Sequence, residues 1–121
     1  MENTILDLTW KYADAFHNRK IDVIESLFAD DVHLKDPSVN LSGKEEVINF
    51  IKKIYEDKNV LIFTPSDVLA FPDENFSVIE FSLVIGNEDS NGGKITDIYQ
   101  GTDHIRWNSE NKIVDINAYL Y

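Results

Sequence analysis

Asp103 stands in the run Tyr99-Gln100-Gly101-Thr102-Asp103-His104-Ile105-Arg106-Trp107, where strand alternation gives it the same face as Ile105 and Trp107. A carboxyl group turned toward an apolar interior loses hydration, which raises its pKa and favours the neutral acid. The neutral form donates a hydrogen bond that an ordinary aspartate cannot. Two further polar side chains share a face with apolar ones. Tyr12 falls among Ile5, Leu8, Ala15 and Phe16 at helical spacing, and Asp36 alternates with Val32 and Leu34 immediately before Pro37. Each has a plainer reading. A tyrosine on an amphipathic stripe serves as core with its hydroxyl satisfied at the boundary, an aspartate before proline is a turn residue, and a one-residue bulge would turn Asp103 outward.

Other chemistry-bearing residues point elsewhere. His17, His33 and His104 lie on different elements, the last two on outward faces, so the spacing gives surface histidines and no shared metal. Gly92-Gly93 is a turn without the lysine and hydroxyl of a phosphate-binding loop, and no serine has the setting of a nucleophile elbow. The acidic pairs Asp30-Asp31, Glu45-Glu46 and Glu88-Asp89 read as solvated caps and loops.

The elements that must position these groups follow from periodicity. Thr4 to His17 predicts a helix, capped by Thr4 or Asn3 and closed at Asn18. Ile21, Ile24, Leu27 and Phe28 predict a short second helix ended by Asp30 and Asp31. Val32 to Asp36 is a brief extended segment, with Pro37 stopping further pairing. Ser42 and Glu45 form a capping box for a third helix from Lys44, with Val47, Ile48, Ile51, Ile54 and Tyr55 as its buried stripe. Val60 to Phe71, interrupted by Pro65, predicts a bent or edge strand, and Pro72 to Asn75 a turn. Phe76 to Ile85 is the next strand, with Ile79, Phe81, Leu83 and Ile85 inward. Gly86 to Gly93 reads as an acidic loop, after which Lys94 leads into a hairpin over Asp97 to Tyr121, turning at Asn108 to Asn111. Its second arm turns Val114, Ile116, Ala118 and Leu120 inward.

Helices gathered early and strands arriving in succession give an α+β class: a curved, mostly antiparallel sheet wrapped around three N-terminal helices, a cone with one open end. Such a hollow suits a small molecule. The expected lining comprises Phe28, Ile51 and Tyr55 from the helical half, Phe81 and Leu83, then Ile105 and Trp107, and finally Ile116 and Ala118.

Size and charge narrow the partners. A chain of 121 residues, 43% hydrophobic and 12% aromatic, supports one domain spanning 1–121. Eleven basic against 22 acidic residues give a net charge of −11, which disfavours nucleic acid and anionic membrane and favours a small apolar ligand. The chain has no cysteine, no segment of membrane-spanning length and no signal-peptide pattern from Met1 to Trp10, so the expected location is the cytoplasm.

The run Tyr12 to Phe28, then Phe28-Ala29-Asp30-Asp31, Asp36-Pro37, Ser42-Gly43 opening a helix, and Asp103 to Trp107 ahead of Lys112-Ile113-Val114 resembles the ketosteroid isomerase branch of the nuclear-transport-factor-2-like and SnoaL-like superfamily. The resemblance covers nearly the whole chain. Its Phe-Ala-Asp-Asp segment and glycine-led third helix are shared across the superfamily and speak to fold. More specifically, the family's oxyanion-hole tyrosine falls on Tyr12, its general base on Asp36 and its oxyanion-hole aspartic acid on Asp103. The resemblance therefore implies a cofactor-independent isomerase that moves a double bond next to a ketone in a steroid-like substrate, without a metal. It also admits a SnoaL-like polyketide cyclase, or a non-catalytic ligand-binding or dimerisation module. It further implies a homodimer through the sheet face carrying Thr102, His104 and Arg106. The third helix has Ile51 where some isomerases carry a supporting tyrosine, and Tyr55 lies one turn later as a substitute.

Overall fold

In a computed structural model, residues 4–121 are described; Asn3, the alternative helix cap, lies outside them. Helix α1 (Thr4–His17) buries Ile5, Thr9, Tyr12, Ala13 and Ala15. Leu8 and Phe16 pack more loosely against the same core. Helix α2 (Ile21–Leu27) stops one residue before the periodicity suggested. Phe28 has extended backbone (φ −90°, ψ 137°) and opens strand β1 (Phe28–Lys35), so Ala29, Asp30 and Asp31 belong to a strand and do not end a helix. Pairing decides the matter: Phe28 sits opposite Ile113, and both are fully buried.

Pairing of β1 stops at Lys35, ahead of Pro37 as expected, but resumes directly after the turn. The chain turns over Asp36 to Val39 and returns as strand β2 (Asn40–Ser42), antiparallel to β1, with His33 opposite Ser42 and Lys35 opposite Asn40. Helix α3 (Lys44–Asp57) follows and buries Val47, Ile48 and Ile51, as its stripe predicted. Its expected capping box is absent. Ser42 is committed to β2, the N-cap is Gly43 at φ 95°, and the Ser42 N–H instead donates to Glu46 Oε1 at 3.3 Å. Only glycine holds that left-handed backbone cheaply.

Strand β3 (Val60–Phe71) runs through Pro65 because it is an edge strand with a register shift between Pro65 and Asp67. After a short helical turn (Pro72–Glu74), β4 (Phe76–Glu88) and β5 (Lys94–Trp107) form a long antiparallel pair. The expected loop Gly86–Gly93 shrinks accordingly to Asp89–Gly93. Gly86 is a strand residue lying so close to β5 that a Cβ would fall 2.1 Å from the Ile95 carbonyl oxygen. Strand β6 (Ile113–Leu120) completes the sheet.

The strand order is β2-β1-β6-β5-β4-β3, with β1 and β6 parallel and every other neighbour antiparallel. The unclosed, curved six-stranded sheet wraps the three helices: α1 packs on β3 and β4, and α3 on β1. A register shift at Arg106/Trp107 swaps the inward residue of β6 from the expected Val114 to Ile113, which is fully buried while Val114 is half-buried. At the closed end the Thr9 and Ser77 hydroxyls are 2.7 Å apart, Thr9 also bonds the Ile5 carbonyl at 2.7 Å, and Trp107 Nε1 donates to Ser77 Oγ at 3.0 Å. No described helix is long and apolar enough to cross a membrane.

Candidate functional site

A cavity of about 480 Å³ opens between the sheet and the helices, and Tyr12, Asp36 and Asp103 all line it. Three elements bring them there. Helix α1 carries Tyr12 inward between Phe16 and Phe28, whose ring centroids are 6.4 and 6.2 Å from its own. Strand β5 presents Asp103 on its inner face, 8% exposed, opposite Ile79 on β4 and Ala118 on β6. The β1–β2 turn holds Asp36 at the cavity edge.

That turn fixes one oxygen of Asp36 and leaves the other open. Oδ1 accepts from the Ser38 N–H (2.7 Å), the Val39 N–H (2.8 Å) and the Ser38 hydroxyl (2.9 Å), while the Asp36 N–H donates to the Val39 carbonyl at 3.0 Å. No described residue bonds Oδ2. Proline at 37 fits the turn because its backbone dihedral is already set. The aspartate–proline turn and the cavity wall are thus one feature.

Tyr12 and Asp103 stand differently. Neither side chain hydrogen-bonds a described residue, yet among the described residues no polar side-chain atom sealed from solvent lacks a partner. Both groups must therefore open on the cavity. Burial raises the Asp103 carboxyl to about 7, with the charge of Asp36 adding to the rise. Burial also raises the Tyr12 phenol, followed by the charges of Asp103 and Tyr55. Below about pH 7 the cavity thus holds two protonated donors, Tyr12 and Asp103, together with the free Oδ2 of Asp36.

Of the expected lining, Ile51, Phe81, Leu83, Ile116 and Ala118 face the cavity. Phe28, Tyr55, Ile105 and Trp107 do not. Phe28, Ile105 and Trp107 are on the inner side but sit in solid core below the cavity floor, where Trp107 is tied to Ser77. Tyr55 packs behind the lining residue Phe16, and its hydroxyl donates to the Phe16 carbonyl at 2.9 Å, so it does not stand in for the tyrosine missing at Ile51. Lining residues that periodicity left unassigned include Phe16, Leu34, Ser38, Phe50, Phe63 and Lys58. Phe50 and Ile54, four residues apart, mark one face of α3, and Lys58 follows as its extended C-cap residue.

The histidines are less exposed than expected. His17 Nδ1 accepts from the Phe63 N–H at 3.0 Å, and His33 lies between Asp115 Oδ1 (3.0 Å) and the Asn40 side-chain oxygen. Those two bonds, Asp115 first, raise His33 above the usual histidine value. His104 packs between the rings of Phe76 and Tyr119 on the outer sheet face. Among the described residues no three His, Cys, Asp or Glu gather as a metal site.

Residues 11–116, most of the chain and including Tyr12, Asp36 and Asp103, match the SnoaL-like domain. The chain belongs to the SnoaL-like domain family. Among curated proteins no sequence match is found. Solved structures of SnoaL-like and NTF2-like proteins are similar in fold. One from Shewanella denitrificans, provisionally described as a SnoaL-like polyketide cyclase, is 12% identical with a TM-score of 0.82, covering 99% of this chain and 92% of that one. A Catenulispora acidiphila protein with a ketosteroid isomerase-like fold, in complex with trimethylamine, is 14% identical at TM-score 0.75, covering 93% and 83%. An LEH-like epoxide hydrolase of M. tuberculosis is 9% identical at TM-score 0.80, covering 97% and 82%. Identities this low carry the SnoaL-like fold and leave the chemistry to the cavity.

Proposed function

We propose that the protein is an isomerase of the ketosteroid type, moving a double bond into conjugation with a ketone in an apolar substrate. The observation that supports it is the joint opening of Tyr12, Asp36 and Asp103 on one largely apolar cavity. Asp36 Oδ2 takes a proton from the carbon between the carbonyl and the double bond. The electron pair moves onto the ketone oxygen, giving a dienolate. Tyr12 and neutral Asp103 donate hydrogen bonds to that oxygen, whose charge is largest after proton removal, so they stabilise the transition state more than the bound ketone. Asp36 then returns the proton at the far carbon, and atoms and charge balance without a cofactor.

Purified protein should convert a β,γ-unsaturated ketosteroid to its conjugated isomer, read as a rise in ultraviolet absorbance. Asp36→Asn should abolish conversion, and Tyr12→Phe and Asp103→Leu should each slow it about a hundred- to a thousand-fold. Undiminished turnover by Asp36→Asn removes it as the base. Ligand binding unaffected by all three changes, without turnover, would favour a non-catalytic module.

We also propose a homodimer through the outer sheet face. Phe71, Phe76, His104 and Tyr119 form a ring-to-ring row across four strands there, with Arg106 stacked on Phe76 at 4.7 Å. Basic His33, Lys35 and Arg106 on that face offset Asp115 and Glu80, which lets two copies of an acidic chain approach. Light scattering should give twice the chain mass, reduced to one by Arg106→Glu.

A further inference from the structure

The cavity is polar at both ends and apolar between them. Tyr12, Asp36 and Asp103 form one end; Lys58, Asp97 and Tyr99 form the other. Sheet register sets their separation. Lys58 caps the C-terminus of α3 just ahead of β3, whose first residue Val60 pairs with Gly86, which pairs with Thr96, so Lys58 lies at the end of the sheet that carries Asp97. Along β5, Asp97 and Asp103 are about 20 Å apart at the usual rise per residue.

Lys58 differs from the other lysines by its place: Lys11, Lys35, Lys52 and Lys94, like Lys58, have no ion pair or side-chain hydrogen bond among the described residues, but they are exposed and none lines the cavity. Lys20, Lys44 and Lys53 pair with Asp14, Asp30 and Asp57, and the Lys112 ammonium donates to the Ser26 carbonyl. Lys58 is half-buried, is the one basic residue in the cavity lining, and its ammonium has no hydrogen bond or ion pair among the described residues of a chain with net charge −11. Asp97, exposed on the facing wall, is not within ion-pair distance of it. A lysine that lines an otherwise apolar and acidic cavity, its stem packed along the wall, presents there a cation that an anionic ligand group can pair with. The Tyr99 hydroxyl, likewise without a partner among the described residues, adds a hydrogen-bonding group to the lining on the β5 wall, two residues from Asp97. One point charge and one phenol suit a monoanion better than a phosphate dianion.

We infer that Lys58 is a specificity-determining residue that holds a carboxylate at the end of the substrate remote from the reacting ketone. The substrate class is thus an elongated apolar keto acid. This inference rests on the cavity being the site of an apolar ketone, as proposed above.

The test uses a β,γ-unsaturated ketosteroid with a side-chain carboxylate, and its methyl ester. Wild-type protein should prefer the acid in kcat/KM by roughly three- to tenfold. Lys58→Met should bring the ratio of acid to ester to one or below, Lys58→Glu should reverse it, and Asp97→Asn should raise it. General damage to the fold moves both substrates together and leaves the ratio unchanged. Calorimetric binding of the two conjugated products to the same proteins separates this inference from the isomerase reading. A Lys58-dependent preference for the acid in binding, without turnover, upholds the subsite and removes the isomerase. Equal wild-type handling of acid and ester, a ratio insensitive to Lys58, or binding of neither overturns the subsite.

Discussion

Tyr12 and Asp103 open on the same cavity, and charge on Asp103 makes the Tyr12 phenol harder to ionise. Each is already raised by its own burial, so below about pH 7 both keep their protons, although a carboxyl and a phenol in water differ by many orders of magnitude in acidity. The result is a pair of neutral donors that a growing oxyanion can use.

The first consequence is a pH limit on turnover. With Asp103 near 7, its neutral form fades as pH rises through that value, and turnover should fall with it. Asp103→Asn keeps an N–H donor at every pH, so its slower reaction should lack that alkaline fall. A pH–rate profile of both proteins decides; the same limb in Asp103→Asn assigns it to another group.

The same carboxyl should weaken the fold at alkaline pH. Its folded pKa lies above its unfolded one, so the native state binds more protons between the ordinary aspartate value and about 7. Its contribution is fully present below that window and is lost as pH rises through it. Asp103→Leu should therefore gain on the order of 2–4 kcal/mol on wild type between pH 5 and pH 8. Urea unfolding at the two pH values measures it, and an equal difference at both would contradict it.

Ser38 should matter to Asp36 through orientation. Its N–H and hydroxyl hold Oδ1, and Ser38→Ala removes only the hydroxyl bond. The variant should lose about tenfold in kcat with little change in KM, and Ser38→Thr should recover most of it. A rise in KM alone would make Ser38 a substrate contact instead.

Ser77 ties the closed end together without touching the cavity. Replacing it by alanine leaves the Trp107 indole N–H without its acceptor in a dry setting. The expected cost is about 1–3 kcal/mol in chemical denaturation. Turnover per folded molecule should be unchanged.

Local patterns foretold faces better than depths. The period of two along β5 put Asp103 inward, and the stripe on α1 did the same for Tyr12, because one buried face leaves little freedom of register. Pairing partners were less legible. Phe28 continues a helical spacing yet starts β1 because Ile113 lies opposite, and Val114 yields to Ile113 through a bulge that depends on two strands meeting. Part of the expected lining missed the cavity for a related reason: Ile105 and Trp107 share a face with Asp103, but the cavity ends before reaching them, while Ile51, Phe81, Leu83, Ile116 and Ala118 line it. Gly43 and Ser42 show competition between neighbours, since β2 claims the serine that would otherwise cap α3.

Affinity for a phenolic steroid, compared with the same steroid lacking the phenol oxygen, reports directly on whether Tyr12 and Asp103 serve one oxygen. Wild-type protein should favour the phenol by at least about tenfold, and Tyr12→Phe and Asp103→Leu should each remove most of that preference. A preference that survives both substitutions, or is absent from the wild type, would mean that the two groups do not share an oxyanion-binding point.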